Sequence, residues 1–279
     1  MSANDLTTNS PTANGPTAQT PPLTSRLYWA LSDTGVMIGR SVKHATRNGE
    51  QIVVATMLPL VQLLVFRYLF GGAIDTGPVG YASYVIAGLI IISVAFNASN
   101  TAVGMANDLS EGIVERFRSM PMLSTSVLTG HVVASVVRHF ISITVVVLVG
   151  LLIGFEPQGS FVQWLGALGL LTVFAAAVSW LSMIFALVAK TVEGASGLSL
   201  IIVFVPYASS AFVPPETMPG VLQGFVNNQP FTPLIDSVRG LLLDMPIGNS
   251  GWIALAWWAG ILLTAIPVAS LLFRRRSVR

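Results

Sequence analysis

The stretch ASYVIAGLIIISVAFNASNTAVG, residues 82–104, decides the fold, because it runs without a single Asp, Glu, Lys or Arg. About 20 apolar residues are what an α-helix needs to cross a ~30 Å hydrocarbon core, where no water is present to satisfy unpaired backbone groups. The run far exceeds the ~10-residue alternating strand of a membrane barrel, so it reads as a spanning helix. Working outward, similar windows lie at 52–70, 127–155, 161–189, 195–212 and 252–273. The chain is therefore expected to be an all-α integral membrane protein with six transmembrane helices. Composition agrees: 53% of residues are hydrophobic, 9% are charged and mean hydropathy is +0.74, against roughly 25% charged in ordinary globular domains. Cysteine is absent, which removes disulfide and thiolate chemistry.

Positive charge sets the expected orientation. Eleven of the 14 Lys and Arg residues lie on one side of the predicted spans: four before the first, Arg116 and Arg118 after the second, Lys190 after the fourth, and four in the terminal RRRSVR. Arg239 lies in a loop on the other side and Arg67 at the far end of the first span. The positive-inside rule then puts both termini in the cytoplasm of a multi-pass plasma-membrane protein.

Residues 1–25, rich in Ser, Thr, Asn and Pro with Asp5 as their single charge, cannot bury a core and are expected to be a disordered cytoplasmic tail. No basic start with an apolar run precedes Arg26, so no secretory signal is expected and the tail stays on the mature chain. Residues 26–279 form a single six-span domain in this reading. Over 26–48, helical spacing puts Leu27, Leu31, Ile38 and Val42 on one face and Asp33, Arg40, Lys43 and Arg47 on the other. That pattern predicts an interfacial helix with its basic side toward anionic headgroups, weakened by Gly35 and Gly39.

The chain has no visible means of powering transport by itself. An ion-coupled carrier normally keeps a carboxylate in its bundle, and none of the six windows contains Asp or Glu. A P-loop needs GxxxxGK[ST], and neither lysine, Lys43 or Lys190, is so placed. A passive channel is disfavoured by the lack of a filter-like repeat, and a membrane enzyme by the lack of a polar catalytic cluster.

The most informative polar segment is DLSEGIVERFRSMPM, residues 108–122. As a helix it places Leu109, Ile113, Phe117 and Met120 on one stripe and Glu111, Glu115 and Arg118 on another, with Pro121 as its stop. The apolar stripe fits a groove on a partner protein, with Phe117 as anchor. It fits the bilayer surface or its own bundle equally well, and periodicity does not separate these readings.

The sequence EGIVERFRSMPM resembles the cytoplasmic signature of type-2 ABC exporter permeases, and its ERFRSMP core that of the daunorubicin-resistance (DrrB-like) type. The resemblance implies six helices and a cytoplasmic coupling helix that contacts a separate ATP-binding cassette subunit. Carried over, Glu111, Gly112, Glu115, Arg116, Phe117, Arg118 and Pro121 form the transmission interface. This chain would bind no cofactor, with ATP and Mg held by the partner subunit. The family commonly continues with a Gly-Arg pair and then an Asp; here Gly130, His131 and Ser135 stand at those positions.

The outer loop, 213–251, contains NQPFTPLIDSVRGLL, which resembles the family's paired short helices approaching the membrane from outside. Its own pattern agrees. Thr232 before Pro233 reads as an N-cap and first-turn proline, Leu234, Val238, Leu241 and Leu242 form an apolar stripe, and Asp236 can pair with Arg239. This predicts re-entrant helices between spans five and six. Pro206 and Pro219 bracket a break in the path.

Polar groups within the spans are few. Gln62, Asn97 and Asn100, with Phe66, Phe96 and Arg138, are the candidate lining of a substrate path; Met57, Phe140 and Phe204 are weaker candidates. Arg138 admits two readings, a side chain snorkelling to the headgroups or one facing a cleft that draws in an anionic group. His139 reads as a hydrogen-bonded packing residue.

The combined expectation is the transmembrane subunit of an ABC exporter moving an amphipathic drug, lipid or glycolipid out of the cytoplasm or inner leaflet. Its partners would be an ATPase subunit, a second permease copy or paralogue, membrane lipid and the substrate, with no nucleic acid. The alternatives are a polysaccharide-exporting permease and a channel outside this superfamily.

Overall fold

The computed structural model describes residues 49–74, 76, 79–112 and 124–276. The tail, the interfacial helix expected over 26–48 and residues 113–123 lie outside the described residues. Eight α-helices and no strand occur among the described residues: α1 (Gly49–Val65), α2 (Tyr81–Ser110), α3 (Ser124–Leu152), α4 (Phe161–Val188), α5 (Val192–Phe204), α6 (Gly220–Asn228), α7 (Phe231–Leu243) and α8 (Ser250–Arg276). Four of them, α2, α3, α4 and α8, are long and apolar enough to cross a membrane, and α1 and α5 are shorter apolar helices.

The helix α2, which contains the stretch quoted at the outset, is the centre of the bundle, with 94% of its apolar window buried. A helix that is hydrophobic all round is one that neighbours enclose, and α1, α3, α4, α5 and α7 all pack on α2. Small residues set the approach distances. A Cβ on Gly88 would stand 2.6 Å from that of Ala211, so the chain beyond α5 lies directly on α2 there.

Two apolar clusters stack along the bundle. One gathers Met105, Leu128, Trp180, Met183 and Phe273 at the end that carries Lys190, Arg274 and Arg275, called here the basic end. The other lies toward the opposite end and includes an edge-on aromatic group, with Phe174 4.5 Å from Trp258, Phe231 5.0 Å from Trp258 and Phe174 6.0 Å from Phe231. Such rings prefer T-shaped contacts because the positive edge of one meets the negative face of the next.

Several element ends differ from the sequence reading. Helix α3 stops at Leu152 instead of 155, because the chain turns at Gly154, whose φ of +102° suits glycine. The fifth window, 195–212, yields a 13-residue α-helix from Val192, capped by the Thr191 hydroxyl accepting from the Gly194 N–H at 3.1 Å. At 1.5 Å per residue this is about 20 Å of helix, short of a ~30 Å core. A 3-10 turn, Val205–Tyr207, follows, and the missing N–H of Pro206 ends the regular helix. In the first window α1 gives way to a π-helical turn, Phe66–Phe70.

In the 213–251 loop, α7 is more deeply packed than a one-sided stripe requires: Phe231, Leu234, Ile235, Val238, Arg239, Leu242 and Leu243 are all buried, against α2, α4 and α8. Thr232 is not its N-cap. The helix starts at Phe231, two residues before the expected Pro233, because the Gln229 side chain takes the capping role: its Oε1 accepts from the Phe231 N–H at 3.1 Å and its Nε2 donates to Thr232 Oγ1 at 2.9 Å.

Candidate functional site

Beyond its first few turns, α2 surfaces along a single stripe. Asn100 and Asn107 are exposed, and Phe96, Val103 and Gly104 are half-buried. These positions, i, i+4, i+7, i+8 and i+11, share one face of a 3.6-residue helix. The stripe is bounded by α5, tied to α2 by a 2.6 Å hydrogen bond between the Ser99 and Ser199 hydroxyls, and by α1, which packs on α2 and α3. Both flanking helices carry exposed apolar side chains, Val53, Met57, Val61 and Leu64 on α1 and Leu200, Ile201 and Phe204 on α5. The stripe is an amide-dotted floor with exposed apolar surface on the helices beside it.

The candidate path residues fall in four places. Phe96 and Asn100 lie on this floor. Gln62 and Phe66 belong to a bridge that joins α1 to the chain after α5: Gln62 Nε2 donates to the Tyr207 hydroxyl, and Phe66 stacks on Phe212 at 4.1 Å. Asn97 does not line the path. It is buried, and its Nδ2 donates to the Ser93 carbonyl at 2.9 Å, one turn back on its own helix. Arg138 is half-buried on α3, and Nη2 donates to Thr101 Oγ1 at 3.3 Å.

Behind the floor a polar layer ties α2, α3 and α4 together. Thr101 Oγ1 and Ser135 Oγ are 2.7 Å apart, and His139 Nε2 lies 3.1 Å from both Ser135 Oγ and Ser179 Oγ. His139 is fully buried, so it is the packing histidine the sequence suggests.

Toward the opposite end, Arg239 joins three elements. Nε donates to the Tyr84 carbonyl at 3.0 Å, Nη1 to Asp236 Oδ1 at 2.7 Å and Nη2 to the Ser210 carbonyl at 2.5 Å, with the guanidinium 3.7 Å above the Tyr84 ring. The expected Asp236–Arg239 pair is present, but as one arm of a clamp fixing α7 to α2 and to the turn after α5. The sequence reading missed Tyr84 and Ser210.

At the basic end, the helix expected over 108–122 is not continuous. Asp108, Leu109 and Ser110 are the last turn of α2; Glu111 is its C-cap, with its N–H donating to the Asn107 carbonyl at 2.9 Å, and Gly112 takes φ +69°. A left-handed glycine after the cap is a common helix stop. Glu115, Arg116, Phe117, Arg118 and Pro121 lie outside the described residues. The residues on either side of them are joined: His131 Nε2 of α3 stands 3.0 Å from Asp108 Oδ2 of α2.

A family model described as "ABC-2 type transporter" matches residues 32–243. Among curated proteins, the chain is 31% identical over 253 residues to the daunorubicin resistance ABC transporter permease protein DrrB1 of Streptomyces coeruleorubidus, covering 89% of this chain and 88% of that one. It is 23% identical over 249 residues to the probable doxorubicin resistance ABC transporter permease protein DrrC of Mycobacterium tuberculosis, covering 88% and 90%.

Proposed function

Because the chain belongs to the ABC-2 type transporter family and is a DrrB-like membrane permease, we propose that it carries an amphipathic drug or a lipid-like molecule out of the inner leaflet, driven by a separate ATPase subunit. The observation that supports this most is the α2 stripe beside α1 and α5: Asn100 and Asn107 supply hydrogen-bonding groups, and exposed apolar side chains on the two helices supply apolar area. Apolar surface with a few fixed polar groups suits amphipathic ligands. The drug-resistance function in the names of its relatives points the same way.

In this reading α1 and α5 cross with the four long helices, giving six spans with both termini cytoplasmic. Helices α6 and α7 approach from outside as a re-entrant pair. Two permease copies face each other across the stripe, and ATP and Mg sit on the partner subunits. Those subunits dock on the segment from Glu111 to Pro121, reading Phe117 and Arg118. The exposed apolar side chains of α1 and α5 favour lipid-borne cargo over a polysaccharide, which would need a long aromatic-lined groove.

The test uses the permease co-purified with the ATPase encoded beside it and reconstituted in vesicles, with an amphipathic fluorescent drug as cargo. Asn100→Leu is expected to lower ATP-dependent drug movement several-fold while leaving the complex assembled. Phe117→Ala with Arg118→Glu is expected to abolish substrate-stimulated ATPase activity. Wild-type coupling in the double variant would sink the docking assignment, and ATP-independent ion conductance would favour the channel.

A further inference from the structure

Two cross-helix contacts share one antiparallel register on the seam between α2 and α3: Thr101 with Arg138 and Asp108 with His131. They are seven residues apart on both helices, a step of about 10.5 Å. Between them sits Gly104, half-buried, with nothing within 4 Å of where a Cβ would stand. The seam therefore carries a notch beside the exposed Asn100–Asn107 stripe, with a guanidinium at one end and the His131–Asp108 contact at the other.

The two ends are not partnered alike. His131 has a carboxylate, Asp108, within 3.0 Å, whereas among the described residues Arg138 makes one hydrogen bond, to a neutral hydroxyl, and no ion pair. A guanidinium has five donors, and an intramembrane arginine is costly unless it is paired. Thr101 stands nine residues from the end of α2 at Ser110, about 14 Å from its basic end at 1.5 Å per residue, a depth an inner-leaflet headgroup can approach along an open seam. Phosphate oxygens accept from guanidinium in a bidentate fork.

We propose that this notch binds the phosphate of a membrane phospholipid, with Arg138 as the phosphate ligand, Gly104 as the space for the headgroup and Asp108 as the group that limits a second negative charge. The site stands on the geometry of the seam and holds whatever the exported cargo is. A bound lipid would wedge its headgroup between α2 and α3 at Gly104.

The test is lipid retention by the purified full-length protein, read by native mass spectrometry after detergent exchange. The probes are phosphatidylglycerol, diacylglycerol with the same acyl chains, and inorganic phosphate as competitor. Phosphatidylglycerol is expected to be retained at least tenfold better than diacylglycerol, and millimolar phosphate is expected not to displace it. Arg138→Gln and Gly104→Leu should each lower retention about tenfold, the second by filling open space without removing a contact. Asp108→Asn should raise it about threefold. Equal retention of diacylglycerol, or wild-type retention in both Arg138→Gln and Gly104→Leu, overturns the proposal. Displacement by inorganic phosphate overturns the lipid assignment. Because Gly104→Leu removes no interaction, an unchanged melting temperature in that variant separates lost binding from lost folding.

Discussion

Replacing Arg239 by methionine should weaken the whole end of the molecule opposite the basic residues. The side chain is 7% exposed and makes three hydrogen bonds to three segments. At ~1.5–3 kcal/mol for a charge-assisted bond, simple addition would give well over 4 kcal/mol. The surroundings argue for less. The Ser210 carbonyl keeps the Tyr84 hydroxyl at 3.1 Å, and Asp236 Oδ1 keeps the Ser210 hydroxyl at 2.6 Å. The Asp236 side chain is also 37% exposed, so water screens the charge left behind. The loss should be about 3 kcal/mol, or about 6–12 °C in melting temperature at the ~2–4 °C per kcal/mol typical of domains near this size. Tryptophan fluorescence in detergent reads it directly. Arg239→Lys keeps the charge but not the three-way fork and should fall between. Because the chain has no cysteine, a Ser237→Cys probe on the buried face of α7 reports opening by its labelling rate, which should rise in the Arg239→Met background. A melting shift below about 2 °C with unchanged labelling would refute the clamp.

Gly159→Ala should lower the melting temperature by several degrees, since its Cβ would stand 2.1 Å from the Leu241 carbonyl oxygen and overpacking typically costs ~1–3 kcal/mol. Gly169→Ala, in α4 with nothing within 4 Å, should instead stabilise by about 0.5–1 kcal/mol; similar melts for the two would discredit the packing argument. Ser179→Ala removes one of the two hydroxyls against His139 Nε2 and should cost ~1–2 kcal/mol, whereas Thr172→Ala, whose hydroxyl bonds only to its own helix at the exposed Leu168 carbonyl, should cost under about 0.5 kcal/mol in the same melt.

Apolar length made α2, α3, α4 and α8 readable, because lipid imposes one rule on every residue of a span. The amphipathic run in α7 was readable for a related reason, and Leu234, Val238 and Leu242 are buried as their spacing suggests. What could not be read were contacts between residues far apart in the chain. Ser99 meets Ser199, Tyr84 meets Arg239, and Gln62 meets Tyr207, and neither periodicity nor local propensity encodes such pairs. Errors at element ends have local causes: Gly112 stopped a helix that the charge and apolar stripes alone would have continued, and Gln229 supplied the cap assigned to Thr232. Asn97 was misplaced because hydropathy cannot tell an amide facing a cleft from one folded back onto its own backbone.

The enclosure of α2 also has a mechanical consequence. A post gripped along its length by α1, α3, α4, α5 and α7 would disturb all five neighbours if it tilted. Beside it, α1 packs on α2 and α3, and α5 on α2 and α4. Both carry a proline where a rung of the backbone ladder is absent, Pro59 within α1 and Pro206 just beyond α5. Bending at either proline would break no backbone hydrogen bond there.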